Sequence, residues 1–350
     1  MNLNKFKELL SIPSKTYKEE DMVKYICSEL DQISGVTYYI DEMLNVYATK
    51  GVLSYDESYP MFIAHTDTVH QKVDKIVIKE ENIVRPNTFG KSFGSDEVSC
   101  LKAYTEDGNP TGIGGDDKCG IFICLELLKT LDKVKIGLFV SEETGCHGSS
   151  KCDEKFLKDV GYITQYDAPG NHLISEICSG VRLFDREGEF FKKTLNVIEE
   201  SFGNEMLIQS HPYTDISQLK KKSDVSCINI SCGYYNMHST SEFVSIDDVY
   251  NAIEIGKKMV ETLGLKKYEY IYKPIVYTSN TIMNSLIDID GDEYEEYLED
   301  DLHQLETINV IEQKDGIIIS DAYDNNELFI SEDDLPYLFE IIKDRLLKKY

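Results

Sequence analysis

Four short apolar runs, each breaking off into carboxylates and histidines, constrain this chain more than its composition does. Pro60-Met61-Phe62-Ile63-Ala64 ends in His65-Thr66-Asp67, and Lys135 to Val140 ends in Ser141-Glu142-Glu143. Val160 to Gln165 ends in Tyr166-Asp167, and Ser226 to Ser231 leads on to Asn236-Met237-His238. Continuous apolar runs of this length suit strands buried on both faces of a parallel sheet. Helical periodicity separates them: Asn4 to Leu10, a segment from Thr16 with Glu19 as capping-box partner, Ile121 to Leu131, Phe190 to Phe202, Thr214 to Lys220 and Ile246 to Leu263. The alternation predicts an α/β fold, with a mixed, mostly parallel sheet flanked by helices. Ligands of open α/β sheets bind beyond the carboxyl ends of the strands, so the clusters predict one composite site.

The stretch from Gly112 to Gly120, Gly-Ile-Gly-Gly-Asp-Asp-Lys-Cys-Gly, precedes one of these helices. Taken alone it is a helix N-terminus with an aspartate cap. Its glycine content exceeds what a cap needs and suits a loop that other groups approach closely. His65-x-Asp67 taken alone is a strand exit with a satisfied histidine. Together with the other clusters, its spacing lets the carboxylate accept the second ring N–H of a ligating imidazole. Gln71 to Thr111 is read as a hairpin or flap.

A formal net charge of -27 disfavours binding to a nucleic-acid backbone. Twenty acidic and five basic residues fall between Thr281 and Tyr350. This shift divides the chain into a domain at 1–265 and an acidic α+β unit at 266–350. In that unit Thr307 to Ile311, a turn at Lys314-Asp315-Gly316, and Ile317 to Ile319 predict a hairpin, Tyr268 to Val276 is β-like, and Asp334 to Lys348 predicts a final helix. Asp288, Asp290 and Asp292 superficially suggest a calcium loop, but Gly291 stands where an EF-hand has no glycine. The opening residues carry no secretory signal pattern and no run is long and apolar enough to span a bilayer, so a cytoplasmic protein without membrane contact is expected. The nine cysteines include no CxxC pair, which predicts buried free thiols rather than a zinc knuckle.

The metal-capable residues are then His65, Asp67, Asp116, Glu142, Glu143, Asp167 and His238. Only carboxylates and imidazoles occur, a set suited to zinc, manganese or cobalt. Two histidines and three carboxylates hold two ions if one carboxylate bridges, and a further carboxylate serves as general base.

The order HxD, GGDDKxG, EExGxxG, Asp and a late His resembles the co-catalytic dinuclear zinc exopeptidase superfamily, which includes peptidase T-like tripeptidases, aminoacylases and glutamate carboxypeptidases. The likeness extends from about Asn2 to Gly264. It implies a three-layer exopeptidase fold and two Zn2+ per chain, with Mn2+ or Co2+ as substitutes. His65 and Asp167 would belong to one ion and Glu143 and His238 to the other, with Asp116 bridging. Asp67 would orient His65, Glu142 would be the general base acting with a metal-bridging hydroxide, and the Asp116-Asp117 peptide would be cis.

Members of the peptidase T group insert a lid or dimerisation domain between the positions matching Asp167 and His238. Here 70 residues intervene and resemble sheet completion, so the lid is expected to be absent and any oligomer to form through another surface. The expected substrate is a short peptide and the expected activity that of an aminopeptidase. Carboxypeptidase, N-acyl amino acid deacylase, and a binding or assembly protein on a retained peptidase fold are the alternatives. Asn236, Tyr235, Arg182 and Asp215 are candidates for substrate contact. Arg186, His147 and His211 are weaker ones.

Overall fold

The computed structural model describes residues 1–70, 75–85, 96–203, 205–211, 213–272, 308–313, 316–321 and 327–331. The chain divides into two compact units, 1–209 with 213–272, and 210–212 with 273–350.

The strands of the first unit in chain order are β1 (Val36–Ile40), β2 (Val46–Lys50), β3 (Tyr59–His65), β4 (Val77–Arg85), β5 (Asp96–Tyr104), β6 (Pro110–Thr111), β7 (Val134–Phe139), β8 (Val160–Ala168), β9 (Leu173–Cys178), β10 (Val181–Arg182), β11 (Leu207–His211, which ends in the second unit), β12 (Cys227–Ser231), β13 (Tyr234–Tyr235) and β14 (Phe243–Ser245). The helices are α1 (Leu3–Leu10), α2 (Glu20–Leu30), α3 (Gly115–Thr130), α4 (His147–Ser150), α5 (Glu189–Phe202), α6 (Asp215–Lys222) and α7 (Ile246–Leu263).

The main sheet runs β1-β2-β7-β3-β8-β12-β9-β10. Its centre, β7-β3-β8-β12, is parallel, and antiparallel strands complete both edges. Every residue of β3, β7, β8 and β12 is buried, which is why these segments are largely apolar and show no alternation of exposed and buried residues. The mixed α/β sheet expected from the sequence is therefore present. From β3 the chain crosses through α3 to β7, then returns past β3 through α4 to β8. These crossovers step in opposite directions, so right-handed crossing puts α3 and α4 on opposite faces. A switch point follows at the carboxyl ends of β3, β7 and β8.

α3 packs across β3, β7 and β8, with α1 and α7 beside it, and α6 packs on β3, β8 and β12 with α4 against it. Phe6 of α1 stacks on Phe122 of α3 at 4.5 Å between ring centroids. Asp167 to His238 spans β9, β10, α5, α6 and β12, so these residues finish the main sheet and its helical cover.

The stretch from Gln71 to Thr111 contributes a hairpin, as expected, in which β4 pairs β5 from Val77↔Tyr104 to Arg85↔Asp96. With β6, β13 and β14 it makes a second, smaller sheet that the sequence did not announce. All nine cysteines are free, and eight are buried. Among the described residues no helix is long and apolar enough to cross a membrane.

In the second unit β15 (Ile308–Gln313) and β16 (Gly316–Asp321) form the expected hairpin, and β17 (Glu327–Ser331) adds a third strand beside β16 that was not anticipated. Tyr268 to Tyr272, expected to be β-like, carries an isolated bridge between Glu269 and Val225 and no strand. The remainder of that segment, the acidic run around Asp288 to Asp301 and the helix expected at Asp334 to Lys348 lie outside the described residues.

Phe62, fully buried in β3 against Tyr166, tests the position of the core. Phe62→Ala is expected to cost about 3–5 kcal/mol in denaturant unfolding. A loss below about 1 kcal/mol would contradict a central, close-packed β3.

Candidate metal centre

His65 is the last residue of β3 and is 1% exposed. Its Nδ1 lies 3.0 Å from the backbone carbonyl of Asp67 and 3.5 Å from the Asp67 carboxylate. A carbonyl only accepts, so Nδ1 carries the proton and Nε2 is the nitrogen free to ligate. The sequence reading anticipated the Asp67 carboxylate in this orienting role, whereas the carbonyl of the same residue is nearer. The carboxylate also takes three other donors: the amides of Glu142 (2.9 Å) and Glu143 (3.2 Å) and the Thr16 hydroxyl (2.9 Å). It thereby pins the loop after β7 to the exit of β3. Thr16 and Glu19 do not form a capping box on α2. The helix begins at Glu20, Thr16 serves Asp67, and Glu19 accepts from the amide and hydroxyl of Ser141.

The loop before α3 performs both tasks open to it in the sequence. Asp117 accepts the Gly120 amide at 3.0 Å, as a helix cap does, and also the His65 amide at 3.2 Å. Asp116 faces the other way. Its Oδ1 lies 3.0 Å from His65 Nε2 and its Oδ2 3.2 Å from His238 Nε2, so one carboxylate spans both imidazoles. The Asp116-Asp117 peptide is cis. Gly114 takes φ +66°, and a Cβ on Gly115 would lie 2.7 Å from Val244 Cγ2 and 2.8 Å from Tyr234 Cβ. The glycines are there for conformation and close approach. Lys118, fully buried and pushed down to about 8 by burial, donates to the carbonyls of Leu10 and Ile113 and ties α1 to this loop.

Glu143 Oε2 lies 3.2 Å from His238 Nε2, and Tyr213 donates to the Glu143 carbonyl at 3.2 Å. Asp167 Oδ1 lies 3.7 Å from His65 Nε2 and accepts from Tyr234 at 3.3 Å, while Oδ2 accepts from Gln165 at 3.1 Å. Asp167 falls inside β8, two residues beyond the expected run. There β12 shifts register, and the Asn229 side chain takes over the pairing, accepting the Asp167 amide and donating to its carbonyl.

The structure thus brings His65, Asp116, Glu143, Asp167 and His238 together, with Asp67 and Glu142 against them. The substrate candidates scatter more. Asp215 is buried near the cluster. Tyr235 donates to Asp248 at 2.7 Å, and Asn236 sits in the turn before His238 with φ 53°. Arg182 and Arg186 both engage Glu176. His147 is exposed at the start of α4, and His211 belongs to the second unit. The residues that sequence reasoning missed are supports: Thr16, Glu19, Gln165, Asn229, Tyr234, His70 and Glu242. They are scattered in the chain and lack a motif, so only the fold brings them in.

Burial drives the carboxyls of Glu142 and Asp117 well up, and the neighbouring Asp167 carboxylate adds to both shifts. Burial also raises Glu143, against the effect of His238. For Asp116 burial pushes upward, but hydrogen bonds from His238 and His65 outweigh it and hold the carboxyl low. Contacts with Asp116 and Glu143 raise His238 to about 10. Two groups hold ligand atoms within 4.8 Å of one another, His65/Asp116/Glu143 and His65/Asp117/Asp167. Glu143 Oε1 is buried without a hydrogen-bond partner. A buried excess of carboxylates over imidazoles, with an orphaned oxygen among them, fits a divalent cation and leaves negative charge uncompensated without one.

No protein-family model and no curated protein matches the sequence. Solved structures do match. The aminopeptidase PepT of Bacillus cereus superposes with a TM-score of 0.59 at 13% identity, covering 75% of this chain and 97% of its own. A tripeptidase of Staphylococcus aureus gives 0.52 at 14%, covering 74% and 98%. An aminopeptidase of the archaeon Desulfurococcus kamchatkensis gives 0.54 at 16%, covering 74% and 95%. The chain has the fold of these peptidases.

Asp215 offers a test of the buried charge. Among the described residues neither carboxylate oxygen has a hydrogen-bond partner, and the nearby Ser149 hydroxyl is committed to the Cys146 carbonyl. Burial raises the carboxyl from 3.8 to about 8. The folded state therefore holds a proton that the unfolded chain has released, and stability falls as pH rises from about 4 through about 8. In chelator, Asp215→Asn is expected to match wild type near pH 4 and to exceed it increasingly in Tm toward pH 8. A difference that is flat with pH would contradict this.

Proposed function

We propose that the chain is a dinuclear zinc exopeptidase that cleaves short peptides as an aminopeptidase. The observation carrying this reading is Asp116, whose two oxygens face the two histidines, His65 at 3.0 Å and His238 at 3.2 Å. One carboxylate serving two imidazoles, each with a further carboxylate beside it, suits a pair of ions sharing a bridge. His65, Asp116 and Asp167 would hold one ion and Asp116, Glu143 and His238 the other. The peptidase fold supports the choice of substrate bond, and the seven-residue set suits Zn2+, with Mn2+ or Co2+ as substitutes.

When bound, such ions supply Lewis acidity toward a carbonyl and lower the pKa of a water. The protein's part follows from its own residues. Glu142 is 4% exposed and stands against the ligand cluster, where it would take a proton from a water and return it to the departing amine. Asp67 fixes Glu142 by accepting its amide and so keeps the base in register with His65. The Asp67 carbonyl holds the His65 ring in one tautomer. The chemistry would lie in the first domain, expected at 1–265, and the acidic α+β unit expected at 266–350 would take no part in it.

Glu142→Gln is expected to lower kcat on di- and tripeptides by about 10²–10⁴ while zinc content stays at the wild-type level. Wild-type turnover by this variant would remove Glu142 from the role of base. N-acetylated versions of the same peptides are expected to resist cleavage. Equal cleavage of both would favour a deacylase or carboxypeptidase over an aminopeptidase.

A further inference from the structure

We infer that Glu242 is a positioning residue that locks three ligand-bearing segments into one arrangement. This rests on the metallopeptidase reading above. Glu242 lies in the turn between β13 and β14, four residues after His238, and is 1% exposed. Its Oε2 accepts from the Gly114 amide at 2.9 Å and from His70 Nε2 at 2.7 Å, and its Oε1 accepts from the Asp116 amide at 3.2 Å. His70 follows His65 on the exit from β3, Gly114 and Asp116 belong to the loop before α3, and Glu242 itself belongs to the His238 turn. One buried carboxylate thus joins the three segments that carry His65, Asp116 and His238.

The bond to the Asp116 amide gives this contact its leverage. Two amides flanking Gly115 converge on one carboxylate, and that sets the direction in which the Asp116 side chain leaves the backbone. His70 reaches Glu242 only because residue 112 is glycine. A Cβ there would lie 2.0 Å from His70 Cε1. Lys118 adds positive charge to the same region. The identity of the residue matters because all three neighbours donate. Glutamine has one accepting oxygen, so its amide group would confront an N–H and leave a buried donor unsatisfied. Changes to partners that orient metal ligands cost about 10–100-fold in metal affinity.

The test is a zinc titration of metal-depleted wild type, Glu242→Gln and His70→Ala against a chromophoric chelator, with the visible spectrum of each protein loaded with Co2+. Glu242→Gln is expected to bind zinc about 10–100-fold more weakly, with an altered Co2+ spectrum and a lowered metal-free Tm, the spectrum being the readout that a loss of stability alone does not move. His70→Ala, which removes one of the three donors, is expected to give a smaller loss in the same direction, and it carries the decision if Glu242→Gln does not fold. Wild-type zinc affinity and Co2+ spectrum in either folded variant would overturn the positioning role alone. A wild type that takes up no zinc would overturn the metallopeptidase reading and this inference with it.

Discussion

Buried negative charge is the constraint on which the rest of this structure depends. Asp67, Asp116, Asp117, Glu142, Asp167 and Asp215 are each less than a tenth exposed, and so is the Glu143 side chain. Withdrawing a carboxylate from water costs several kcal/mol unless donors or cations replace the lost hydration. The fold meets part of that need with its own groups. Asp67 receives two amides and a hydroxyl, Asp117 receives two amides, and Asp167 receives a phenol and a carboxamide. Among the described residues Glu143 Oε1 and both Asp215 oxygens receive nothing, and the Asp116 side chain has the two imidazoles alone. Asp215 meets its own demand by holding a proton, and the rest lies between His65 and His238, where the proposed ions belong.

The topology explains why these groups meet. A parallel centre directs the carboxyl ends of β3, β7 and β8 to one edge, and the reversal of crossover direction opens a crevice there. His65 ends β3, Glu142 and Glu143 follow β7, and Asp167 lies near the end of β8. The second sheet supplies what the first cannot. Its turn between β13 and β14 brings His238 and Glu242 over the crevice from outside the parallel core. The site is therefore held by carboxylates acting as clasps between segments, with Asp67 joining β3 to the β7 exit and Glu242 joining the glycine loop to the His238 turn.

Much of this was legible in the sequence because strand ends announce themselves. A continuous apolar run that stops at a histidine or carboxylate gives both the buried strand and the polar site, and His65, Glu142 and Glu143 were found that way. The glycines marked the stretch before α3 as more than a simple cap, but Asp116 was singled out only through the other clusters and the family resemblance; the structure adds that Gly114 takes positive φ and Gly115 lies against Tyr234 and Val244. Other features were hidden for physical reasons. Thr16 and Glu19 fit a capping box by spacing, but buried partners at Asp67 and Ser141 outweighed a local cap. The extension of β8 through Asp167 depends on the Asn229 side chain, a contact across 62 residues that no local pattern carries. The second sheet was missed because its strands come from distant parts of the chain and two of them are two residues long.

Metal stoichiometry tests the central claim most directly. Protein purified without chelator and dialysed against zinc should hold two ions per chain by elemental analysis. Anomalous diffraction at the zinc edge should put both beside Asp116, one toward His65 and the other toward His238. A folded protein with fewer than about one ion per chain, or with its zinc bound to other residues, would contradict the account.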